Sequence, residues 1–402
     1  MNFEVNRLVM LAAAKTITKV APANSPIREL LGVLMESNSD TGEVFLTSTN
    51  HEVSIQQKLM ASVNKKGVML LDPRMLADMM AKLDGDFVSI SSEKPHVLKV
   101  QGGRCTFLIN CMSPVGYPKP IMPFPEQSVI MTGICSLAKR TTFVVSSDEK
   151  KLALQCVQVK LKNNAVQASA SDGIGRVLMV RDESDLTDER EFLLPGRSLK
   201  TLASISEDTD VFEVSDMGNE VVFVRGDMIF TIRKMITGDF IDTNLLLKSF
   251  KPAYIAVADS GELKEAVNIV AVGAASGNSL EPVNINLTDG EIIVCYEGDS
   301  SAGGSRVKAK ISKNTPTTGF FYNINALVKL FQITTGKVRL ELCDRGIMLV
   351  KNSSMIYLQS PLKPNTKKKE FNVGKPDGEK PLKKKKEGDS AKGAKDVKKI
   401  AA

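Results

Sequence analysis

LDPRMLADMMAKLDGDFVSI (71–90), followed at 102–110 by GGRCTFLIN, is the first of three stretches built on one pattern. The second is LPGRSLKTLASISEDTDVFEV (194–214) with RGDMIFTIR (225–233), and the third is FYNINALVKLFQITTGKVRLEL (321–342) with NSSMIYLQS (352–360). Each reads as an amphipathic helix, an alternating strand, and a second strand that carries an aromatic residue. The spacing from a central helix leucine to that aromatic is 31 residues for Leu76 to Phe107, 31 for Leu199 to Phe230 and 30 for Leu327 to Tyr357. A fixed internal period of this kind marks repeated structural units and takes precedence over any short motif.

Local chemistry supports the helix in the first copy. Asp72 is placed to cap it, and Pro73 suits a first turn whose backbone has no intrahelical acceptor. Leu76, Met79, Met80 and Leu83 fall at i, i+3, i+4 and i+7, the stripe a sheet buries, while Arg74, Asp78 and Lys82 face the other way. The outward face carries Arg197 and Lys200 in the second copy and Lys329 in the third. Each unit also opens with a short strand and a further helix-like stretch: FEVNRLVMLAAAKTITKV (3–20), ICSLAKRTTFVV (134–145) and DSGELKEAVNIVAV (259–272). Two helices and several short strands per unit predict an α+β module of about 120 residues in which helices cover a sheet. The proline-rich PVGYPKPIMPFPEQ and the aperiodic LLLKSFKPAY read as linkers. The predicted organisation is therefore module 1 at 1–127, module 2 at 128–251, module 3 at 252–364, and a lysine-rich disordered tail at 365–402.

The 402 residues are too many for one core, and 43% hydrophobic with 25% charged residues is ordinary globular composition. No run approaches the length of a membrane span and no leader pattern opens the chain, so a cytoplasmic protein is expected. The six cysteines, Cys105, Cys111, Cys135, Cys156, Cys295 and Cys343, lack CxxC pairing and read as reduced thiols. The net charge of +7 is confined to the tail, where 13 lysines stand against six acids. The remaining 364 residues hold 40 basic and 40 acidic side chains, so any affinity of the body for a polyanion requires an uneven distribution of charge.

The parts of a catalytic site are missing. His51 and His96 are the only histidines, one in a strand or turn and one in a hairpin-like loop. No HExxH, Cys/His cluster or GxSxG is present, so neither metal nor hydrolytic chemistry is expected. GDSSAGGSR (298–306) mimics a phosphate loop, but Gly304 stands where the lysine belongs, and a hairpin loop is the better reading. In SDGIG (171–175) the glycines precede a strand, VLMV, with no helix N-terminus to hold a pyrophosphate. No cofactor is expected. What remains is arginine and lysine recurring on the exposed helix faces, where they could line one phosphate-binding surface.

These residues resemble a known family, the DNA polymerase III beta subunit, or replicative sliding clamp. The likeness rests on MNFEV, SPIRELLGVLMES, ASASDGIGRVLMV with Asp172, Gly173 and Arg176, RGDMIFTIRKMITGDFIDTNLLL, and the closing MIYLQSPLK, in order from Met1 to about Lys363. The resemblance implies a head-to-tail homodimeric ring of six modules around double-stranded DNA, with helices lining the channel and sheets outside, and no catalysis. It implies sequence-independent contact with phosphates. The channel candidates are Arg7, Lys15, Arg74, Lys82, Lys139, Arg140, Arg197, Lys200, Lys264 and Lys329. An apolar groove between modules 2 and 3, which in the family takes short motifs of polymerase and clamp-loader subunits, is matched by Leu154, Ser171, Gly173, Arg176, Val177, Ile241, Leu245, Leu246, Leu358, Ser360, Pro361 and Leu362. Three departures bear on it: an extra residue in the Ile174–Gly175 stretch, Ile241 in place of proline, and Leu245 where arginine is common. The tail lies outside the pattern, as a further DNA contact or an inert extension. The competing reading is a repeat-built structural or assembly protein that never encircles DNA.

Overall fold

The protein is described from a computed structural model covering residues 1–119, 128–185, 189–236, 240–274, 282–297, 302–312 and 319–363. The tail, and the ends placed at Gln127 and Pro364, lie outside the described residues.

The chain runs three times through one order of elements. The first pass is β1 (Asn2–Asn6), α1 (Arg7–Thr18), β2 (Val33–Asn38), β3 (Glu43–Thr49), β4 (Val53–Met60), β5 (Ser62–Lys65), β6 (Gly67–Leu71), α2 (Pro73–Lys82), β7 (Phe87–Lys94), β8 (Val97–Gly102) and β9 (Cys105–Asn110). The second is β10 (Val129–Thr132), α3 (Ile134–Thr141), β11 (Cys156–Leu161), β12 (Ala165–Ser171), β13 (Arg176–Glu183), β14 (Arg190–Pro195), α4 (Gly196–Ser204), β15 (Val211–Asp216), β16 (Glu220–Arg225) and β17 (Met228–Arg233). A short helix α5 (Thr243–Ser249) leads into the third: β18 (Tyr254–Asp259), α6 (Ser260–Ala274), β19 (Pro282–Thr288), β20 (Glu291–Glu297), β21 (Ala302–Lys308), β22 (Lys310–Ile311), β23 (Phe320–Asn323), α7 (Ile324–Ile333), β24 (Lys337–Leu342), β25 (Met348–Lys351) and β26 (Met355–Gln359). This is the α+β architecture of repeated modules, each with two helices on sheet.

The helices start where polar side chains satisfy their first amides. Asn6 Oδ1 accepts from Leu8 and Val9, Asp72 Oδ1 from Arg74 and Met75, Asp259 Oδ1 from Gly261 and Glu262, and Asn323 Oδ1 from Ala326. Within each module they pack in pairs, α1 with α2, α3 with α4 and α6 with α7. The buried stripes are Met10, Ala13, Ala14 and Ile17 on α1, Leu76, Met79 and Met80 on α2, Leu199 and Leu202 on α4, and Leu327, Leu330 and Phe331 on α7.

The sheets do not stop at module boundaries. One eight-stranded sheet runs β10-β15-β16-β17-β4-β3-β2-β6 and joins modules 1 and 2 through β17 and β4, from Met228 opposite Gln57 to Ile232 opposite Val53. A nine-stranded sheet, β14-β11-β12-β13-β26-β25-β24-β18-β22, joins modules 2 and 3 through β13 and β26, from Arg176 opposite Gln359 to Val180 opposite Met355. Each module thus lends three strands to a joint on either side. At the chain's two ends this leaves half-sheets, β5-β1-β7-β8-β9 from module 1 and β21-β20-β19-β23 from module 3.

Local detail differs from expectation in two places. The stretch read as the aperiodic linker LLLKSFKPAY contains α5, whose apolar leucines were masked in pattern by the short length of the helix. Gly303, Gly304 and Ser305 of the supposed hairpin loop belong to β21 itself, paired with Tyr296, Cys295 and Val294. The repeat aromatics also divide: Phe230 and Tyr357 are fully buried beneath the two joints, whereas Phe107 is 39% exposed on the unpaired edge of β9.

That division predicts unequal costs. Phe230→Ala destabilises the chain by about 3–5 kcal/mol, as expected when a large buried side chain leaves a cavity, and Phe107→Ala costs much less in the isolated chain. Denaturant unfolding of the two variants at a concentration that keeps the chain monomeric checks this.

Candidate helix-borne cation surface and interdomain groove

The ten basic candidates fall into two groups. Lys15, Arg74, Lys82, Lys200, Lys264 and Lys329 are exposed and form no ion pair among the described residues. The other four are engaged. Arg7 donates from Nε to the Gly85 carbonyl at 2.8 Å and from Nη1 to the Met80 carbonyl at 2.9 Å, closing the C-terminal end of α2. Its guanidinium is thereby directed to α2 and not to the open face on which the helix pattern set it. Arg140 is part-buried in an ion pair with Asp182, and its Nε finds no acceptor among the described residues. Lys139 reaches Asp208 at 2.8 Å, a hydrogen bond that raises its pKa, and Arg197 pairs with Glu52. Lys139 and Arg197 remain well exposed. Exposed pairs of this kind contribute about 0–1 kcal/mol and yield readily to another anion.

Glu52 does a second job. It accepts from the Ser198 hydroxyl as well as pairing with Arg197, and its backbone carbonyl accepts from Arg233 N at 2.9 Å, so the β3–β4 turn of module 1 is tied to α4 and β17 of module 2. Beside that joint, a cavity of about 610 Å³ is lined by Lys15, Lys19, Ser204, Ser206, Asp210 and Arg225. Sequence reasoning missed Lys19, although it stands one helical turn beyond Lys15. Arg225 was out of reach, because only the fold carries it there, held by Asp210 and the Phe212 ring.

The groove is a cavity of about 700 Å³ between modules 2 and 3. Of the expected residues, Ser171, Gly173, Val177, Ile241, Leu246, Leu358 and Ser360 line it. Leu154 stands immediately behind Gly173, leaving no room there for a side chain. Leu245 is exposed outside the cavity, and so are Pro361 and Leu362, the latter donating its amide to the Phe321 carbonyl at 2.7 Å. The β24–β25 turn (Cys343, Asp344, Arg345, Ile347) and the segment after α5 (Ser249, Phe250, Lys251) complete the wall. No local signal pointed to these.

Arg176 does not line the cavity but organises the turn beside it. Asp172 Oδ1 accepts from the amides of Ile174, Gly175 and Arg176 at 2.9, 2.9 and 2.8 Å, and Oδ2 accepts from Arg176 Nε at 2.6 Å. Burial pushes the Asp172 carboxyl up, but the Arg176 hydrogen bond and the three amides outweigh it and leave the pKa below the usual 3.8. Among the described residues no helix is long and apolar enough to cross a membrane, and no cluster of His, Cys, Asp or Glu is arranged to hold a metal ion. All six thiols are unpaired, and burial pushes Cys135 up to about 11 and Cys156 to about 12.

With strand pairing continuous across modules, helices paired on one side and a groove at the second joint, the fold is that of a sliding clamp. Residues 1–122 match the family model for the DNA polymerase III beta subunit, N-terminal domain. The beta sliding clamps of Staphylococcus aureus (strain Mu50) and Staphylococcus epidermidis are 22% and 23% identical over 328 and 335 residues, in each case 78% of this chain and 84% of the relative. The crystal structure of the DNA polymerase sliding clamp from Bacillus subtilis superposes with a TM-score of 0.82 at 17% identity, covering 90% of this chain and 99% of that one. The beta subunit of the Streptococcus pyogenes DNA polymerase gives 0.81 at 19%, covering 90% and 100%. The chain belongs to the DNA polymerase III beta subunit family.

The Asp172 turn has a definite pH dependence. Because its folded pKa lies below the unfolded value, its contribution is present above about pH 3.8 and is lost as pH falls through the folded pKa. Hydrogen exchange at Ile174, Gly175 and Arg176 is therefore expected to stay slow at pH 5 in the wild-type protein and to accelerate at the same pH in Asp172→Ala.

Proposed function

We propose that the chain is the processivity clamp of a replicative DNA polymerase, two copies closing head to tail around duplex DNA. The observation that carries this is the pair of open sheet edges. At the internal joints the third strand of one module's first meander pairs with the last strand of the next module: β4 with β17, and β13 with β26. The strands in those positions that lack a neighbour among the described residues are β21 of module 3 and β9 of module 1. Pairing β21 of one copy with β9 of the other unites a four- and a five-stranded half-sheet into one of nine, the size of an internal sheet. The same symmetry brings α6 against α2 of the partner. Apolar side chains are exposed at these places: Phe107 and Leu108 (73%) on β9, Met75 on α2, and Ile269 and Val272 (79%) on α6. Open edges and apolar patches are liabilities in a monomer, and a heterologous contact that closes after two copies removes both.

In the closed ring the helices face the duplex. Lys15, Arg74, Lys82, Lys200, Lys264 and Lys329 meet phosphates, with Lys139 and Arg197 exchanging Asp208 and Glu52 for them. Phosphates are alike at every base step, so the contact holds no register and the ring slides. Linkage is topological, the cations need only be weak, and no chemical step is required. The protein acts where the chromosome is, in the cell interior. The groove beside Val177, Ile241, Leu246 and Leu358 takes short linear motifs of the polymerase and the clamp loader.

Three outcomes test the reading. In solution the particle has about twice the 43.7 kDa of one chain, and Leu108→Asp with Val272→Asp reduces it to one chain without loss of secondary structure, as sedimentation will report. Rings loaded on nicked circular DNA stay bound through gel filtration and are released when the circle is cut; equal loss from both forms favours the assembly-protein reading. Replacing Lys82, Lys200 and Lys329 by Glu speeds dissociation and reduces the slope of log affinity against log salt by about one per phosphate contact removed.

A further inference from the structure

At the mouth of the groove, one large apolar side chain is held out in solvent. Ile174 is 82% exposed, yet the turn that carries it is fixed at every point. Asp172 gathers three successive amides, the Ser171 hydroxyl donates to the Arg176 carbonyl at 3.0 Å, and Gly173 takes the positive φ of +66° that this path requires. Gly173 lies against Leu154 of module 2, with no space for a Cβ. Gly175 lies against Ser360 of module 3, where an added Cβ would sit 2.8 Å from that residue's own Cβ, and its carbonyl accepts from Ser360 N at 2.8 Å. The turn is thus wedged between two modules, and Ile174 projects from it along the wall of the cavity shared with Val177, Ile241, Ile347 and Leu358.

A single exposed isoleucine on a protein surface is unremarked. An isoleucine whose backbone is already ordered, at the rim of an apolar cavity, loses little entropy when it is covered, so most of the burial appears as affinity. The opposite rim is basic. Lys251 and Arg345 are exposed and form no ion pair among the described residues, against one neighbouring acid, Asp344. The cavity therefore suits an apolar side chain on its floor, a second one under Ile174, and a carboxylate at Lys251 and Arg345.

We propose that Ile174 is the specificity-determining contact of this groove, covering the second of two apolar side chains in an acidic linear peptide. The inference rests on the groove being a peptide site, and its test separates the two. The probes are a fluorescein-labelled peptide of serine and glycine carrying one aspartate and two adjacent leucines, the same peptide with one leucine, and the two-leucine peptide with lysine in place of aspartate. Wild-type protein binds the two-leucine acidic peptide about tenfold more tightly than the one-leucine peptide, the amount expected for covering much of an isoleucine side chain. Ile174→Ala brings that ratio close to one and leaves the one-leucine affinity unchanged, while Ile174→Leu restores it. Because Ile174 packs on nothing in the free chain, its variants keep the wild-type melting temperature. Arg345→Glu with Lys251→Glu reverses the preference for aspartate over lysine.

A ratio that persists in Ile174→Ala overturns the inference while the groove reading stands. If neither leucine peptide binds and Leu358→Asp changes nothing, the groove reading falls and this inference with it.

Discussion

Backbone hydrogen bonds between strands of successive modules are the constraint from which the rest of this molecule follows. A module of this chain is not closed on itself: it divides its strands between two sheets, and each sheet is complete only when a neighbour supplies the other part. The two internal joints, β17 with β4 and β13 with β26, are built within the chain. They bury Phe230 and Tyr357, and the Tyr357 ring stacks with Phe143 of module 2 at 6.4 Å, so side-chain packing reinforces the ladder. Applied once more, the same rule leaves one unpaired edge at each end, and a second copy meets both.

That rule also sets where charge can act. With strands committed to the sheets, each module turns the outer sides of its helix pair away from them, and the repeat copies those sides three times. Some cations on them serve the scaffold: Arg7 closes the end of α2, and Arg140 is tied to Asp182. The rest are long, exposed and weakly held. A ring that must not stop at any base is served by such contacts, because topological linkage, and not contact energy, keeps it on the duplex. The groove follows from the same joints. It opens where β13 meets β26, so its floor comes from both modules and its mouth from the turn that Asp172 organises.

The helices, the threefold repeat and the order of strands were legible because they depend on short-range periodicity. Leu76, Met79 and Met80 are buried as their spacing requires, and Asp72 and Asn323 cap as their positions suggest. Pattern failed where the deciding contact is long-range. Arg7 and Lys82 look alike on a helical wheel, but only the fold brings Gly85 and Met80 within reach of the Arg7 guanidinium. The groove was visible in part through Val177, Ile241, Leu246 and Leu358. Its β24–β25 wall, with Cys343 and Arg345, arrives from residues about 170 positions away along the chain, and Ile174 was legible as an extra residue but not as one held rigidly into solvent.

The amino-acid sequence alone determined how many modules there are, which helix faces are apolar, and that the charge of the body sums to zero while the tail holds the excess. Tertiary structure alone decided which strands cross between modules, which two remain open, which cations are already engaged, and what closes the groove. The physical reason is one of range. Helix amphipathicity and capping are settled within a few residues, whereas the partner of a strand edge or an ion pair is chosen by geometry that exists only once distant segments have packed.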